Sequence, residues 1–378
     1  MPRQFDVIIV GAGIAGASAA YELAKTRRVL VLERESHPGY HSSGRSAAMY
    51  VGSYGNKAIR GLSLASRPFL ESPPAGFAEA PLMRPRGVLY IGGTNDEATL
   101  AAFHAEVAPS CPAMRMVGID ACMKHVPSLK PDSICGGVYD PDSFDLDADL
   151  LLQGFVRGAR QAGARFVLDS EIQTIRTEGQ AWEVVANNTA YAAPILVNAG
   201  GAWADEFAAQ AGVRPVGLVP KRRTAVLFAA PDGVSVDTWP AVMDIHERFY
   251  FKPDAGHILA SPADETPSAP MDAYPEDLDA AIAVDRVQRV AGFPVRRLQA
   301  SWAGLRSFVA DKTLVIGFAP DAPGFFWLAG QGGYGIQTAP TAARTARALI
   351  DGSGLPADVA ALGVRARDLS PARPALSQ

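Results

Sequence analysis

The chain is poor in cysteine, with only Cys111, Cys122 and Cys135 among 378 residues and no C-x-x-C pair. An odd, scattered set argues against a disulfide framework, a zinc ribbon or a dithiol redox centre, and no metal site is expected. Reduced thiols in a cytoplasmic compartment are the expectation, with peripheral membrane contact through an electron acceptor as the alternative. An excess of one charge sign is missing too. The net charge is −4 and the pI about 5.9, so nothing points to nucleic acid or an anionic membrane surface as a partner. Nor is there an apolar run approaching the roughly 18 residues that a membrane helix needs. "VIIVGAGIAGASAA", residues 7 to 20, superficially has a signal-peptide core, but Asp6 interrupts its start and the positive flank is Arg3 alone.

What remains is an ordinary globular composition, 48% hydrophobic and 20% charged, long enough for two cores. "FDVIIV" is a continuous apolar run typical of a parallel strand buried on both faces. "GAGIAG" follows, then the helical composition of "ASAAYELAKT", then a second buried strand in "RRVLVLERE". This is a βαβ unit. Residues 57 to 71 predict a helix stopped by "SPP", and "GVLYIGG" a strand of a different sheet. Residues 97 to 130 mix short helices and loops. Asp147 or Asp149 caps a helix, and residues 164 to 188 alternate like an antiparallel meander. "APILVNAGGAW" is again a buried strand ending in glycines. Residues 216 to 308 read as largely strands, and residues 335 to 350 as a long helix, with a loosely held tail after it.

The fold class expected is therefore α/β. A Rossmann-type dinucleotide domain with a βαβ N-terminus carries a strand-rich α+β substrate domain inserted in two pieces. The expected division is 1–78, 145–215 and 309–368 for the first domain, 79–144 and 216–308 for the second, and 369–378 for the tail.

Gly11, Gly13 and Gly16 form G-x-G-x-x-G between strand and helix. The first permits a tight turn, the second lets backbone approach a pyrophosphate, and the third lets helix and strand pack closely. Glu33 ends the second strand, 22 residues after Gly11 (33 − 11), where it can accept ribose hydroxyls. A second glycine turn, Gly330, Gly332, Gly333 and Gly335, again lies between a strand and a helix. The amides of that helix N-terminus suit the anionic end of a reduced flavin ring, so two glycine turns point to FAD rather than NAD. Ser42, Ser43 and Ser46 can donate to phosphate oxygens and Arg45 can neutralise them, although such a stretch is also a common surface loop.

Arg306 lies in "WAGLRSFVAD", where an arginine is either a structural ion pair or a bidentate clamp on a carboxylate. Tyr250 in "RFYFKP" reads first as a core aromatic, and Tyr54 in "GSYGN" as an exposed tyrosine or a mobile lid. Along Lys221, Arg222 and Arg223, strand alternation sends the two arginines to opposite sides.

With "VIVGAGIAGAS", "PGYHSSGRSAA", "LVNAGGAW", "PKRR", "WAGLRSFVAD" and "GFFWLAGQGGYGIQT", the chain resembles the FAD-dependent amine and D-amino acid oxidoreductase (DAO) family over nearly its whole length. Within it the likeness is strongest to the D-arginine dehydrogenase subgroup. The resemblance implies FAD contacts at Ala15, Glu33, Arg34, the run Ser42, Ser43, Gly44, Arg45, Ser46, Ala47, Ala48 and Met49, the Ile172 backbone, and Gly332, Gly333, Tyr334, Gly335, Ile336 and Gln337. Gly200 ends a strand of the same domain. The resemblance further implies that Arg306 and Tyr250 hold a substrate carboxylate with Arg223 nearby, that Tyr54 is a lid, and that the Gly333 carbonyl accepts from the substrate amine.

Two positions depart from that subgroup. Met49 stands where a histidine is expected, and Val88 where an acid would pair with a guanidinium. An unpaired buried cation loses several kcal/mol, so a neutral or apolar side chain is expected in place of arginine. The expected reaction is oxidation of the Cα–N bond of a small-molecule D-amino acid to an imino acid by hydride transfer to non-covalent FAD. Hydrolysis then gives a 2-oxo acid and ammonia. Quinone, carrier or oxygen remain open as acceptor. The rival readings are oxidation of a secondary amine or a 2-hydroxy acid, and a flavin-binding scaffold without chemistry.

Overall fold

The computed structural model describes residues 2–376. Its organising element is a six-stranded sheet in the order Arg165–Val167, Val29–Leu32, Val7–Val10, Ile195–Asn198, Phe325–Ala329 and Val315–Phe318. All neighbours are parallel except the last pair. Strands buried on both faces need no polar alternation, which is why these segments are unbroken apolar runs. Side-chain period two still sorts them. Val7 and Ile9 pack on one face with residues of the helices Ile14–Leu23 and Gly335–Ile350. Ile8, Leu30 and Leu196 pack on the other with Trp182, Val184 and Tyr191. These last belong to the expected meander, Ile172–Glu178, Ala181–Ala186 and Thr189–Ala193. Arg165–Val167 is a correction, since it leaves the meander and pairs in parallel with Val29–Leu32.

A second sheet of nine strands runs Thr266–Pro267, Val219–Ala229, His257–Ser261, Tyr250–Asp254, Ala241–Asp244, Val88–Gly92, Gly136–Asp140 and Arg115–Val117, with Leu298–Phe308 paired to Val219–Ala229. One face carries Leu89, Ile91, Val226, Phe228, Val242, Phe251 and Ile258 into a core with Ala283 and Val287. Those two sit on a helix, Asp277–Val290, in a stretch the sequence suggested was largely strand. Its buried Ala280, Ala283 and Val287 fall at helical spacing, but its other faces are so charged that no strong apolar stripe shows. From other positions of this sheet Tyr90, Met243 and Tyr250 line a cavity together with Gly333 and Gln337.

The caps behave as sequence chemistry requires. Asp147, not Asp149, caps Ala148–Gln161 by accepting from the Leu150 amide at 2.8 Å. The tail is a second correction. Arg373 is 6% exposed and donates to Asp311 at 2.7 and 2.9 Å and to the carbonyls of Thr313 and Leu314. Among the described residues no helix is long and apolar enough to cross a membrane.

Candidate active site

The parallel strands all end at one edge of their sheet, and the turns that follow build a track. Gly11 has φ +95°, and a Cβ there would lie 2.5 Å from the Ala199 carbonyl oxygen. A Cβ on Gly16 would lie 1.9 Å from the Gly11 carbonyl, so this glycine is the close helix–strand contact its spacing implied. Three adjoining cavities follow this edge. The first, about 350 Å³, is lined by Gly11, Gly13, Glu33, Arg34, Ile172 and Gly200 among others. It shares Gly13, Ser42 and Ser43 with a second, lined by Ala15, Ser46, Ala47, Gly332, Gly333, Gly335 and Ile336. The second shares Arg223, Tyr250, Arg306 and Gly333 with a third, of about 180 Å³, which also takes in Ala48, Met49, Tyr54 and Gln337. The two glycine turns, more than three hundred residues apart in sequence (330 − 11), thus border one continuous space.

Local chemistry suits a dinucleotide. The Glu33 carboxylate accepts from the amides of Ala12 at 2.6 Å and Glu35 at 3.0 Å, which fixes it at the strand end with lone pairs to spare. The Arg34 guanidinium lies 3.9 Å from the centroid of the Trp203 ring, and the His41 ring lies 4.6 Å from it on centroids. The Ser170 hydroxyl lines the same cavity, is 2% exposed and has no hydrogen-bond partner among the described residues. A buried orphan hydroxyl facing a polar cavity is a donor waiting for a ligand. The residues present therefore fit FAD: Glu33, Arg34, Ser170 and Ile172 would hold its adenosine end, Gly13 and Ser43 its phosphates, and Gly332 and Gly333 would face its ring. None of the three cysteines lines the track.

Several expected contacts lie elsewhere. Gly44 does not line the cavities; its amide donates to the Gly39 carbonyl at 2.8 Å and tightens the turn. Arg45 borders the second cavity, but its guanidinium is committed to Asp272 and to the carbonyls of Ala273 and Ala303. It braces the loop. Gly330, with φ +74°, shapes the turn from behind. Tyr334 faces a side cavity, against the Tyr54 ring at 5.2 Å. Val88 is fully buried and lines none of the three; Tyr90, two residues along the same face, reaches the third cavity instead.

That third cavity has a polar end and an apolar end. At the polar end Arg306 donates to the Tyr54 hydroxyl at 3.4 Å and, among the described residues, has no carboxylate partner. Burial opposes its charge, yet its electrostatic interactions with Tyr54, Tyr250, Tyr334 and the more distant Glu265 carboxylate outweigh this and raise its pKa. Arg223 donates through Nε to the Asp264 carbonyl at 2.8 Å; burial first, and then the like charge of Arg306, lower its pKa. Arg223 also meets the Glu265 carboxylate at 3.5 Å, but that acid is shared with Lys221 and Lys312, so the two neighbouring guanidiniums keep a net positive charge and form an anion site. Its neighbour Arg222 points to the other side, toward Glu276 and Asp279, as strand alternation implied. Burial raises the pKa of Tyr54, so its hydroxyl stays protonated and able to donate. The apolar end is formed by Met49, Val51, Tyr90, Phe103, Met243 and Phe249, contributed by separate segments; Asp244, which is paired with Arg248, and Glu247 also line this cavity. Sequence reasoning missed all of these except Met49. The one signal available was that Tyr90 shares the Val88 face of a predicted strand.

A dinucleotide track opening into a cavity lined by two arginines defines the class, an FAD-dependent oxidoreductase. The chain belongs to the FAD dependent oxidoreductase (DAO) family, whose model matches residues 6–349, and FAD is its cofactor. It is 26% identical to a glycine oxidase of Geobacillus kaustophilus, covering 90% of this chain and 91% of that one. It is 23% identical to a glycerol 3-phosphate dehydrogenase of Caloramator mitchellensis, over 89% and 72%. Among solved structures, the L-proline dehydrogenase of P. horikoshii matches with TM-score 0.84 at 19% identity, over 99% of this chain and 98% of that one. The last comparison concerns fold alone.

Proposed function

We propose that the protein oxidises the Cα–N bond of a D-amino acid carrying a neutral or apolar side chain, giving an imino acid that water converts to a 2-oxo acid and ammonia. The observation that carries this reading is the two-ended cavity: Arg306, Arg223 and Tyr250 at one end, a wall of Met49, Tyr90, Phe103 and Met243 at the other. Bound FAD supplies the two-electron acceptor.

The chain's own residues supply position. Arg306 and Arg223 take the substrate carboxylate, and Tyr250 and the protonated Tyr54 add hydroxyl donors. Holding the acid there fixes Cα beside the bare backbone of Gly332 and Gly333. The Gly333 carbonyl accepts from the amine, which reacts in its neutral form. An apolar far wall replaces water around the side chain. The preference for the D configuration and the division of the chain into two domains at the boundaries given above are part of this proposal; both rest on the family likeness read from the sequence motifs.

A second reading, oxidation of glycine or an N-methylated amino acid, is favoured by relatives named glycine oxidase and N-methyl-L-tryptophan oxidase, the latter 23% identical over 70% of this chain. Both readings use Arg306. Anaerobic bleaching of the bound cofactor by a panel of D-amino acids, L-amino acids, glycine and sarcosine separates them. Bleaching by D-methionine or D-phenylalanine ahead of glycine supports the first reading; bleaching by sarcosine or glycine alone defeats it.

A further inference from the structure

A fourth cavity, of about 260 Å³, lies outside the track and carries Arg248, Arg286 and Arg289 together with Ser133. Asp244 and Phe249 line both this cavity and the substrate cavity, so they form the wall between the two. Two of the arginines are paired. Arg248 chelates Asp244 through Nε and Nη2 at 2.8 and 2.6 Å, and Arg289 meets Asp285 at 2.8 Å. Arg286 meets no carboxylate. Its Nη1 donates to the carbonyls of Arg248 and, at 2.6 Å, Pro262. Among the described residues its Nε and Nη2, and the Arg248 Nη1, have no partner. Three guanidiniums stand against the paired carboxylates of Asp244 and Asp285, with Asp96 acting on Arg248 from behind Gly93, and several unused N–H forks surround a space larger than one small ion needs.

We propose that this cavity is a second anion site, which takes a tetrahedral oxyanion, either free phosphate or a phosphomonoester. Planar guanidinium forks match such oxyanions with paired hydrogen bonds. The site touches the machinery at two points. Arg286 ties the backbone of Arg248, two residues before Tyr250, to that of Pro262, two residues before the Asp264 carbonyl that holds Arg223. Asp244 accepts from the amides of His246 and Arg248, both at 3.1 Å, and so shapes the turn in which Glu247 adopts φ +55°. An oxyanion drawing on Arg248 and Arg286 acts on both segments at once. Because Arg248 and Arg289 are largely exposed, the affinity is modest, with Kd on the order of millimolar.

The test is calorimetric titration of the FAD-loaded protein with inorganic phosphate and with phenyl phosphate, at constant ionic strength. Saturable heat is expected, weakened about tenfold by Arg289→Ala and retained in Arg306→Ala. Phosphate is expected to shift the KM of wild type but not of Arg289→Ala, whose basal activity is unchanged. Stronger heat with phenyl phosphate assigns an ester as the ligand, and equal heat assigns free phosphate. Heat that is absent, that is equal in Arg289→Ala, or that vanishes in Arg306→Ala overturns the proposal, the last result placing the anion in the substrate cavity. Because binding is read without substrate, failure here is distinct from failure of the D-amino acid reading.

Discussion

Arg306 reaches the Tyr54 hydroxyl at 3.4 Å and, among the described residues, has no carboxylate partner, although it lies in the strand Leu298–Phe308. A structural ion pair would carry its acid with it. A clamp leaves the acid to the substrate. Replacement by alanine is therefore expected to lower kcat/KM by about a thousandfold or more, equivalent to roughly 4 kcal/mol, while cofactor content and fold persist. Arg306→Lys keeps the charge and loses the fork, and is expected to fall between the two. Steady-state kinetics with the flavin absorbance as loading control checks both.

Gly333 tests how closely that clamp sits over bare backbone. A Cβ there would lie 2.8 Å from Arg306 Nη1 and 3.1 Å from the Tyr54 hydroxyl, both ends of side chains that can swing away. Gly333→Ala is thus expected to leave thermal stability within about 1 kcal/mol of wild type, yet reduce kcat/KM by roughly ten- to a hundredfold through misplacement of the guanidinium. Equal loss of stability and activity would contradict this.

Gly11 presents the opposite case. Its φ is +95°, and the atom in the way of a Cβ is the backbone carbonyl oxygen of Ala199 at 2.5 Å, which cannot swing aside. Gly11→Ala is expected to cost several kcal/mol and to yield protein depleted in FAD. Glu33→Gln, by contrast, keeps an acceptor oxygen for one of the two backbone amides and loses the bond to the other. It is expected to fold with a loss of about 1–2 kcal/mol and to bind FAD about tenfold more weakly, as read by recovery of free-flavin fluorescence on dilution.

These outcomes show what was legible in the residue string. Gly11, Gly13, Gly16 and Glu33 could be found because fixed spacing within one βαβ unit determines their geometry. Arg306 stood out as a charge in an apolar strand, but sequence left its two roles open; the lack of a partner carboxylate among the described residues favours the clamp. The far wall of the third cavity was not legible, since Met49, Tyr90, Phe103, Met243 and Phe249 meet only through tertiary packing. The pairing of Arg45 was not legible either, because its partner, Asp272, is 227 residues away. The Asp277–Val290 helix was missed because charge on its outer faces masks a narrow seam of alanine and valine.

Acid stability reports on the tail. Burial pushes the Asp311 carboxyl up, but the paired hydrogen bonds from Arg373 outweigh that and hold it below its usual range. A carboxyl lowered on folding contributes stability that is present above its unfolded pKa, about 3.9, and is lost as pH falls through the folded value. Asp311→Asn is expected to lower stability at neutral pH and to flatten its dependence below about pH 4. Denaturant titrations at pH 7 and pH 3 measure this. A slope unchanged by the substitution would rule the pair out as a source of acid sensitivity.

Val88 gives the test that bears most on specificity. If this position faced the substrate, an acid there would create a site for a cationic side chain. The structure instead buries Val88 completely, beside Val51, Val138 and Ala241, and gives the cavity to Tyr90. A carboxyl at Val88 would have no partner there, and burying an unpaired acid costs several kcal/mol or forces it to stay protonated. Val88→Glu is therefore expected to destabilise the protein by about 3 kcal/mol or more without improving turnover of D-arginine over D-methionine. Val88→Ala, which makes a cavity but adds no charge, separates loss of packing from burial of the acid and is expected to cost about 1–2 kcal/mol. A stable Val88→Glu variant that gains D-arginine activity would mean that this strand presents Val88 to the substrate in solution, and the apolar-wall account of specificity would fall with it.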